Sequence, residues 1–292
     1  MSVSEWPSHS SSDYPRRVSG FVASLLLLLC CYANMAAALQ LEGGFTQGGM
    51  VVGAVDPGAR VWLDGEDVPV AADGTFVLGF ARDAAPSAEL RVRQADGREQ
   101  QRTLEIARRE FRVQRIDGLP ERKVTPRSKE DLERIRKEAE AVARARSLQR
   151  AATDFSQAFI WPVTGRISGV YGSQRILNGK PRRPHMGVDI ARPTGTEVVA
   201  PADGVVVLAQ PDLFFSGGTL IIDHGMQMNT SYLHLSRILV EEGERVKQGQ
   251  PIAEVGATGR VTGPHLHWGA NVRKVRIDPQ LLVPPMPATA SK

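Results

Sequence analysis

Histidine residues are concentrated in one region of this 292-residue chain. One of the six, His9, stands apart near the N-terminus. The others are His185, His224, His234, His265 and His267. Imidazole is the commonest metal ligand in proteins and titrates near neutral pH, so their concentration in one region indicates a chemical site.

Two short motifs in this region contain groups that could hold a metal. His185 precedes Asp189 by four positions, and His265 precedes His267 by two. On an extended strand, residues an even number of positions apart point to the same face of the sheet. Mixed imidazole and carboxylate ligands suit zinc, whose catalytic sites take three protein ligands and leave one position open. Together the motifs could supply three ligands with one histidine to spare.

The order of these motifs along the chain resembles that of a known family. The chain contains Arg-Pro-His-Met-Gly-Val-Asp-Ile at 183–190, Pro-Thr-Gly-Thr at 193–196, Ser-Tyr-Leu-His-Leu at 231–235, Gly-Ala-Thr-Gly at 256–259 and Gly-Pro-His-Leu-His at 263–267. In combination these segments are highly specific. They resemble the lysostaphin and LytM type metallopeptidases of family M23, and the resemblance covers roughly residues 161–283.

The resemblance implies a fold, a metal and a set of roles. It implies a mainly β chain whose C-terminal domain is a LytM-like antiparallel β-sheet or barrel-sandwich. It implies that His185, Asp189 and His267 bind Zn²⁺, while the catalytic residues His234 and His265 face the water and the substrate. The implied function is that of an exported zinc-dependent endopeptidase that hydrolyses peptide cross-links of bacterial peptidoglycan, with peptidoglycan stem peptides as partners.

Two other function classes compete with the peptidase. One is a catalytically silent peptidoglycan-binding regulator of other wall hydrolases, which would keep the fold and lose metal ligands. All three ligands and both auxiliary histidines are present here, which favours an enzyme. The other is a lipoyl or biotinyl carrier, which would need a modifiable lysine at a hairpin tip. No lysine stands in a Met-Lys-Met or Asp-Lys-Ala context.

Three further residues near the motifs have less specific signals. Arg183 could meet a substrate carboxylate, or it could be a solvated loop cation. His224 lies in the segment Ile-Asp-His-Gly at 222–225, which resembles a recurrent strand histidine of the family, and a structural or groove-lining role is favoured over that of a ligand. Asn178 precedes a glycine, and an Asn-Gly pair predicts a turn rather than a catalytic group.

The composition predicts the kind of scaffold that positions these residues. Hydrophobic residues make up 42% of the chain and charged residues 23%, which is typical of globular proteins. The 28 glycines and 19 prolines are scattered, which favours short strands joined by turns. The net charge of +4 suits approach to an anionic polymer or membrane surface. No nucleic-acid-binding motif accompanies that charge, so nucleic acid is not an expected partner.

The N-terminal residues 1–38 have the pattern of a secretory signal peptide. Arg16 and Arg17 precede an apolar run at 21–32, and three alanines at 36–38 follow it. Cleavage after Ala38 would remove both cysteines, Cys30 and Cys31. We therefore expect export to the periplasm or cell envelope. An uncleaved anchor or a lipoprotein signal are the alternatives, and membrane contact is expected only through this segment if it is uncleaved.

The rest of the chain divides into three parts and a short tail. Residues 39–118 contain short alternating runs separated by Asp-Gly and Pro-Gly turns, which predicts a small β-sandwich module. Residues 119–157 are rich in charge and predict a linker with a helix capped by Ser128. Residues 158–285 form the predicted peptidase domain, and residues 286–292 form the tail.

Overall fold

The computed structural model describes residues 39–287, whose upstream part forms two antiparallel sheets. The strands are β1 Gln40–Gly43, β2 Met50–Ala54, β3 Arg60–Leu63, β4 Glu66–Val68, β5 Thr75–Gly79, β6 Ser87–Arg93 and β7 Glu99–Glu105. One sheet has the order β1-β2-β5 and the other β4-β3-β6-β7. Along β6, buried Ala88, Leu90 and Val92 alternate with exposed residues, as a half-buried strand requires. They share a core with Phe76 and Leu78 of β5, which makes a small sandwich.

The C-terminal part is built around an eight-stranded antiparallel sheet of order β18-β14-β15-β16-β20-β12-β9, with β21 paired to β20. Two three-stranded sheets, β13-β19-β17 and β11-β10-β8, accompany it. The strands of this part are β8 Val113–Ile116, β9 Arg166–Gly169, β10 Gln174–Leu177, β11 Lys180–Pro181, β12 Val188–Ala191, β13 Glu197–Val199, β14 Gly204–Leu213, β15 Gly217–Asp223, β16 Met228–Leu235, β17 Arg237–Ile238, β18 Arg245–Val246, β19 Pro251–Glu254, β20 His265–Val272 and β21 Val275–Ile277. The prediction of a mainly β, LytM-like fold is confirmed.

The register of three adjacent strands, β12, β20 and β16, places residues of the sequence motifs close together. In the β12–β20 pair, Asp189 lies opposite His267. In the β16–β20 pair, Leu233 lies opposite His267, so His234 follows immediately beside it. Because directly opposed residues of antiparallel strands have Cβ atoms about 5 Å apart, this register brings the side chains of Asp189 and His267 within reach of each other.

The large sheet is held by a continuous apolar core. Ile190, Leu220, Ile222, Tyr232 and Trp268 have no measurable exposure. These five belong to one buried cluster that also includes residues of β13, β19 and β21. Burial of each such side chain contributes roughly 1.5–3 kcal/mol. The strands that carry the motif residues are therefore among the most strongly anchored elements of the fold.

Two helices join the upstream sandwich to the large sheet: α1 Glu121–Val124 and α2 Lys129–Ser147. Single 3-10 turns span Asp154–Ser156 and Pro279–Leu282. Ser128 caps α2, since its Oγ accepts from Asp131 N at 3.1 Å, as the sequence predicts. Upstream of the helices, β8 pairs in parallel with β10, so the chain between the sandwich and α2 is tied to the C-terminal part.

Helix α2 packs differently from the pattern in the sequence. Leu132 is 52% exposed and Ala139 is also exposed, so the predicted apolar face is wrong at these positions. Ala145 instead packs on Leu208 and Ile221 of the large sheet. Polar contacts hold the N-terminal half of the helix. The Asp131 carboxylate accepts from Arg122 Nε at 2.7 Å, and the Glu138 carboxylate accepts from Phe214 N at 2.7 Å.

The predicted signal segment, residues 1–38, and the end of the tail lie outside the described residues. Within residues 39–287, none of the helices combines the length and apolar character needed to cross a bilayer. The division at residues 118, 157 and 285 stays a proposal.

His224 lies in the core and forms a buried polar network. Its Nδ1 donates to the Asp203 carbonyl oxygen at 2.6 Å, and its Nε2 lies 2.8 Å from Thr230 Oγ1. The Thr230 hydroxyl in turn lies 2.8 Å from the Tyr232 hydroxyl. Burial lowers the pKa of His224 to about 4, so the ring is neutral near neutral pH. These contacts support the structural role that the sequence analysis favoured for this residue.

The buried His224 predicts a pH dependence of stability. The unfolded chain binds a proton at His224 below about pH 6.5, whereas the folded protein binds it only below about pH 4. Stability from the neutral ring is thus present above about pH 6.5 and is lost as the pH falls toward 4, by up to about 3 kcal/mol. Urea unfolding in the presence of a chelator measures the free energy of unfolding of the parent and of His224→Gln. The difference between the two should shrink as the pH falls across this interval. A constant difference would contradict the prediction.

Candidate metal centre

Three potential ligand atoms converge at the edge where β12 and β20 meet. His185 Nε2 lies 2.9 Å from His267 Nδ1 and 3.0 Å from Asp189 Oδ1. His267 Nδ1 lies 2.8 Å from Asp189 Oδ1. We call these three atoms the ligand triangle. Among the described residues, His185, Asp189 and His267 form a group whose side chains are close enough together to hold one metal ion.

The size and the chemistry of the triangle can be compared with those of a zinc site. Ligand atoms about 2.0–2.2 Å from a tetrahedral zinc ion stand about 3.3–3.6 Å from one another. The separations of 2.8–3.0 Å seen here are a few tenths of an ångström shorter, which a small outward movement of the side chains would make up. Three mutual contacts between two ring nitrogens and one carboxylate oxygen cannot all be hydrogen bonds, because each ring nitrogen carries at most one hydrogen. A cation at the centre would satisfy all three atoms. The donor set of two imidazoles and one carboxylate fits zinc.

His185 reaches the triangle from the loop before β12. Its backbone N–H donates to the Ser173 carbonyl oxygen at 2.8 Å. Its ring Nδ1 donates to the Val170 carbonyl oxygen at 3.1 Å, which leaves Nε2 as the nitrogen with a free lone pair. A hydrogen bond on the second ring nitrogen of a ligating histidine is the usual way in which proteins fix its tautomer and orientation.

Asp189 divides its two carboxylate oxygens between two partners. Oδ1 belongs to the ligand triangle, while Oδ2 accepts from Arg175 Nη2 at 2.5 Å. Burial by itself would raise the pKa of Asp189, but hydrogen bonding and charge from His185 and His267 hold that pKa well below its usual value. The carboxylate is therefore ionised. Burial also lowers the pKa of His267 to about 4, which keeps that ring in the neutral form a metal requires.

The two other predicted histidines stand directly beside the triangle. The ring centroids of His234 and His265 are 4.9 Å apart, and His265 Nε2 lies 3.8 Å from Asp189 Oδ1. His234 Nδ1 donates to the Thr258 carbonyl oxygen and His265 Nδ1 to the Gly263 carbonyl oxygen, each at 2.9 Å. Because Nδ1 carries the hydrogen in both rings, Nε2 is left as an acceptor.

The backbone at His234 adopts a conformation that is rare for a residue with a side chain. Its φ is +67°, and its N–H donates to the Ser216 carbonyl oxygen at 2.8 Å. Left-handed backbone at a non-glycine residue costs about 1 kcal/mol and is common at functional sites. Burial, with the nearby His265 and His267, lowers the pKa of His234 to about 3. The ring is therefore neutral.

An open groove of about 410 Å³ gives access to this centre. Its lining includes His185, His234 and His267 of the metal centre. A cavity of about 460 Å³ lies along β14 and β17, but the described residues that line it include no histidine. The chemistry therefore places the candidate site in the first groove.

The structure brings all five predicted site residues together. Arg183 lines the groove. Asn178 lies in the turn between β10 and β11 with a φ of +46°, and its side chain bonds to the backbone of Leu119. The sequence analysis missed Arg175, since an arginine on a short strand carries no sequence signal of an ion pair with Asp189. It also missed the role of Thr258, whose backbone carbonyl oxygen accepts from His234 Nδ1.

Gly187, between His185 and Asp189, is needed for the close approach of β20. A Cβ at this position would stand 2.6 Å from both His267 Nε2 and the Trp268 carbonyl oxygen. We therefore expect Gly187→Ala to displace the His267 ring and to weaken zinc binding by about tenfold to hundredfold, the range found when the support of a ligand is lost. Competition with a chromophoric chelator measures this affinity. Gly44→Ala is the matched control, because its Cβ would meet its nearest neighbour at 3.7 Å. Equal affinities in the two variants would contradict the prediction.

Comparisons with known proteins agree with this geometry. Residues 183–279 match the profile of Peptidase family M23. The chain is 44% identical over 128 residues to the peptidoglycan DD-endopeptidase ShyA of Vibrio cholerae, which is 44% of this chain and 29% of that protein. It is 42% identical over 117 residues to ShyB of the same organism, covering 40% of this chain and 24% of ShyB. The chain thus spans under a third of the length of these relatives.

A solved structure extends the similarity to the upstream part. The crystal structure of a putative peptidase M23 from Pseudomonas aeruginosa is 30% identical to this chain, with a TM-score of 0.62. The similarity covers 82% of this chain and 94% of that one, so it includes more than the large sheet. This chain is a member of peptidase family M23.

Proposed function

We propose that this protein is a zinc-dependent endopeptidase that hydrolyses peptide cross-links of bacterial peptidoglycan. The observation that carries the proposal is the ligand triangle with His234 and His265 beside it, at the edge of an open groove. The relatives ShyA and ShyB are named peptidoglycan DD-endopeptidases, which supports the substrate class.

In this proposal His185, Asp189 and His267 hold the zinc ion. Zinc, when bound, polarises a carbonyl and lowers the pKa of water toward neutrality. The three side chains carry one negative charge between them, from Asp189, so the site keeps a net positive charge in the presence of Zn²⁺. Such a charge stabilises the negative charge that develops on the carbonyl oxygen during peptide hydrolysis.

The proton transfers fall to the two auxiliary histidines. Each offers Nε2 as an acceptor, because its Nδ1–H is directed to a backbone carbonyl. The pKa of His234, about 3, makes that ring a weak base. We therefore assign to His265 the transfer of a proton from the attacking water to the leaving amine. We assign to His234 the acceptance of a hydrogen bond that orients water or substrate.

The proposed site of action is the cell envelope, with export directed by residues 1–38. In this proposal the upstream sandwich and the helical linker accompany the peptidase domain in the exported protein. Peptidoglycan stem peptides are the proposed partners.

Digestion of purified sacculi tests the proposal. The zinc-loaded protein beginning at Leu39 should release fragments that mass spectrometry identifies as products of cross-link cleavage. Release of sugar fragments without cleaved peptides would contradict an endopeptidase. Binding to sacculi without release of any product would favour the silent regulator instead.

A further inference from the structure

Four arginine side chains line the groove of the metal centre. They are Arg175, Arg182, Arg183 and Arg260. Within residues 39–287, one of the four forms an ion pair: Arg175 pairs with the Asp189 carboxylate. That carboxylate already belongs to the ligand triangle. The groove therefore carries a positive charge that the described part of the chain does not neutralise.

Arg182 and Arg260 are held by neutral groups only. Arg182 Nη2 donates to the Val124 carbonyl oxygen at 3.0 Å, and Arg260 Nη1 donates to the Lys123 carbonyl oxygen at 3.3 Å. The Arg260 guanidinium also lies over the Phe215 ring, 4.7 Å from its centroid. These contacts orient the two guanidinium groups and leave further N–H donors for a ligand.

The guanidinium groups are close enough to repel one another. Burial lowers the pKa of Arg260, and the charges of Arg175 and Arg182 lower it further. Cations that are removed from water without a partner are costly. An anion placed among the three groups would remove that cost, and guanidinium groups match the geometry of a carboxylate.

The position of the cluster relates the anion to the scissile bond. Arg175 contacts Asp189 Oδ2, whose other oxygen is a vertex of the ligand triangle. One side chain thus separates the cluster from the atoms proposed to hold zinc. A peptide whose scissile carbonyl lies at the triangle would bring the residue next to that bond to the arginines.

We infer that Arg182 and Arg260, together with Arg175, form a subsite for a free carboxylate on the residue that supplies the leaving amine. The inference rests on the proposed function and specifies its substrate. It selects cross-links in which the carbon that bears the linking amine also bears a free carboxylate. Glycine bridges and amidated cross-links lack this group.

Two synthetic cross-linked peptides test the inference. They are identical except that the residue after the scissile bond carries a free carboxylate in one and a primary amide in the other. We expect the zinc-loaded parent to cleave the carboxylate peptide with a kcat/KM about tenfold to hundredfold higher, as charge-assisted hydrogen bonds provide. Arg260→Gln and Arg182→Gln should each reduce this ratio by about tenfold. Arg102→Gln, an exposed position on β7, is the matched control and should preserve the ratio.

Several outcomes would overturn the inference and leave the proposed function intact. One is equal cleavage of the two peptides by the parent. Another is a parental ratio of the two kcat/KM values in Arg182→Gln or Arg260→Gln, provided that the variant is folded as judged by its circular dichroism spectrum. If the parent cleaves neither peptide nor sacculi, the proposed function fails. In that case isothermal titration calorimetry with the same peptides tests the inference. The parent must bind the carboxylate peptide more tightly than the amide peptide, and Arg260→Gln must abolish this difference.

Discussion

Replacing His267 by alanine is expected to reduce bound zinc from about one ion per chain to a small fraction of that value and to abolish peptide cleavage. The reason is that His267 Nδ1 contacts both other vertices of the ligand triangle. Two remaining ligands do not make a catalytic zinc site, which uses three. Metal analysis of protein dialysed against zinc buffer measures the occupancy, and the sacculus digest measures cleavage. Chelation of the parent should have the same effect on cleavage.

His267→Ala is a sharper test than Asp189→Ala. Loss of the Asp189 carboxylate would also leave Arg175 without its partner, and breaking a buried ion pair costs about 3–5 kcal/mol. Reduced stability could then account for lost zinc. Asp96→Ala, at an exposed turn of the upstream sandwich, is the control that should retain full occupancy. Full activity of exhaustively chelated parent, verified to be metal-free, would exclude the zinc mechanism.

Alanine at His265 or His234 should have a different signature: zinc occupancy stays near that of the parent while turnover collapses. Neither ring is a vertex of the ligand triangle, yet His265 Nε2 lies 3.8 Å from Asp189 Oδ1. Loss of a positioned proton-transfer or hydrogen-bonding group typically lowers the rate by about 100-fold to 10,000-fold. The decisive measurement is kcat on a cross-linked peptide alongside zinc content of the same preparation.

The matched control for this second experiment is His224→Gln. His224 is a buried histidine in the same domain, but its partners are Asp203 and Thr230 rather than the metal centre. This variant should lose stability and keep its turnover at a temperature where it is folded. Parental turnover in His265→Ala would show that the proton-transfer role is wrongly assigned. Loss of zinc in both alanine variants would show that these residues support the ligands instead.

Much of the centre follows from local sequence. The spacing within His185-x-x-x-Asp189 and His265-x-His267 indicated groups on common strand faces, and the histidine-rich region indicated one site. The structure brings the potential ligand atoms together, and His265 and His267 share strand β20, but His185 reaches the site from the loop before β12 and not from a strand face shared with Asp189. The turn at Asn178 and the cap at Ser128 were likewise predictable, because both depend on contacts within a few residues. The alternation of buried and exposed residues along strands of the upstream sandwich, such as β6, was predictable for the same reason.

Other features depend on parts of the chain that are remote in sequence. The apolar face of α2 was predicted from its periodicity, but Leu132 is exposed because the sheet surface meets the helix near Ala145 instead. The partner of His234 is the carbonyl oxygen of Thr258, and a backbone carbonyl has no signature in the sequence. The pairing of β8 with β10 joins segments about 60 residues apart.

The residue types and spacings by themselves determined which side chains could hold a metal, because strand periodicity and ligand chemistry are local properties. Only the tertiary structure decided which atoms meet, because strand register sets Asp189 opposite His267. It also decided that Arg182 and Arg260 share one groove although they lie far apart in the chain. Charges from separate segments add up at a site only after the fold has brought them together, so no pattern in the sequence could show that cluster.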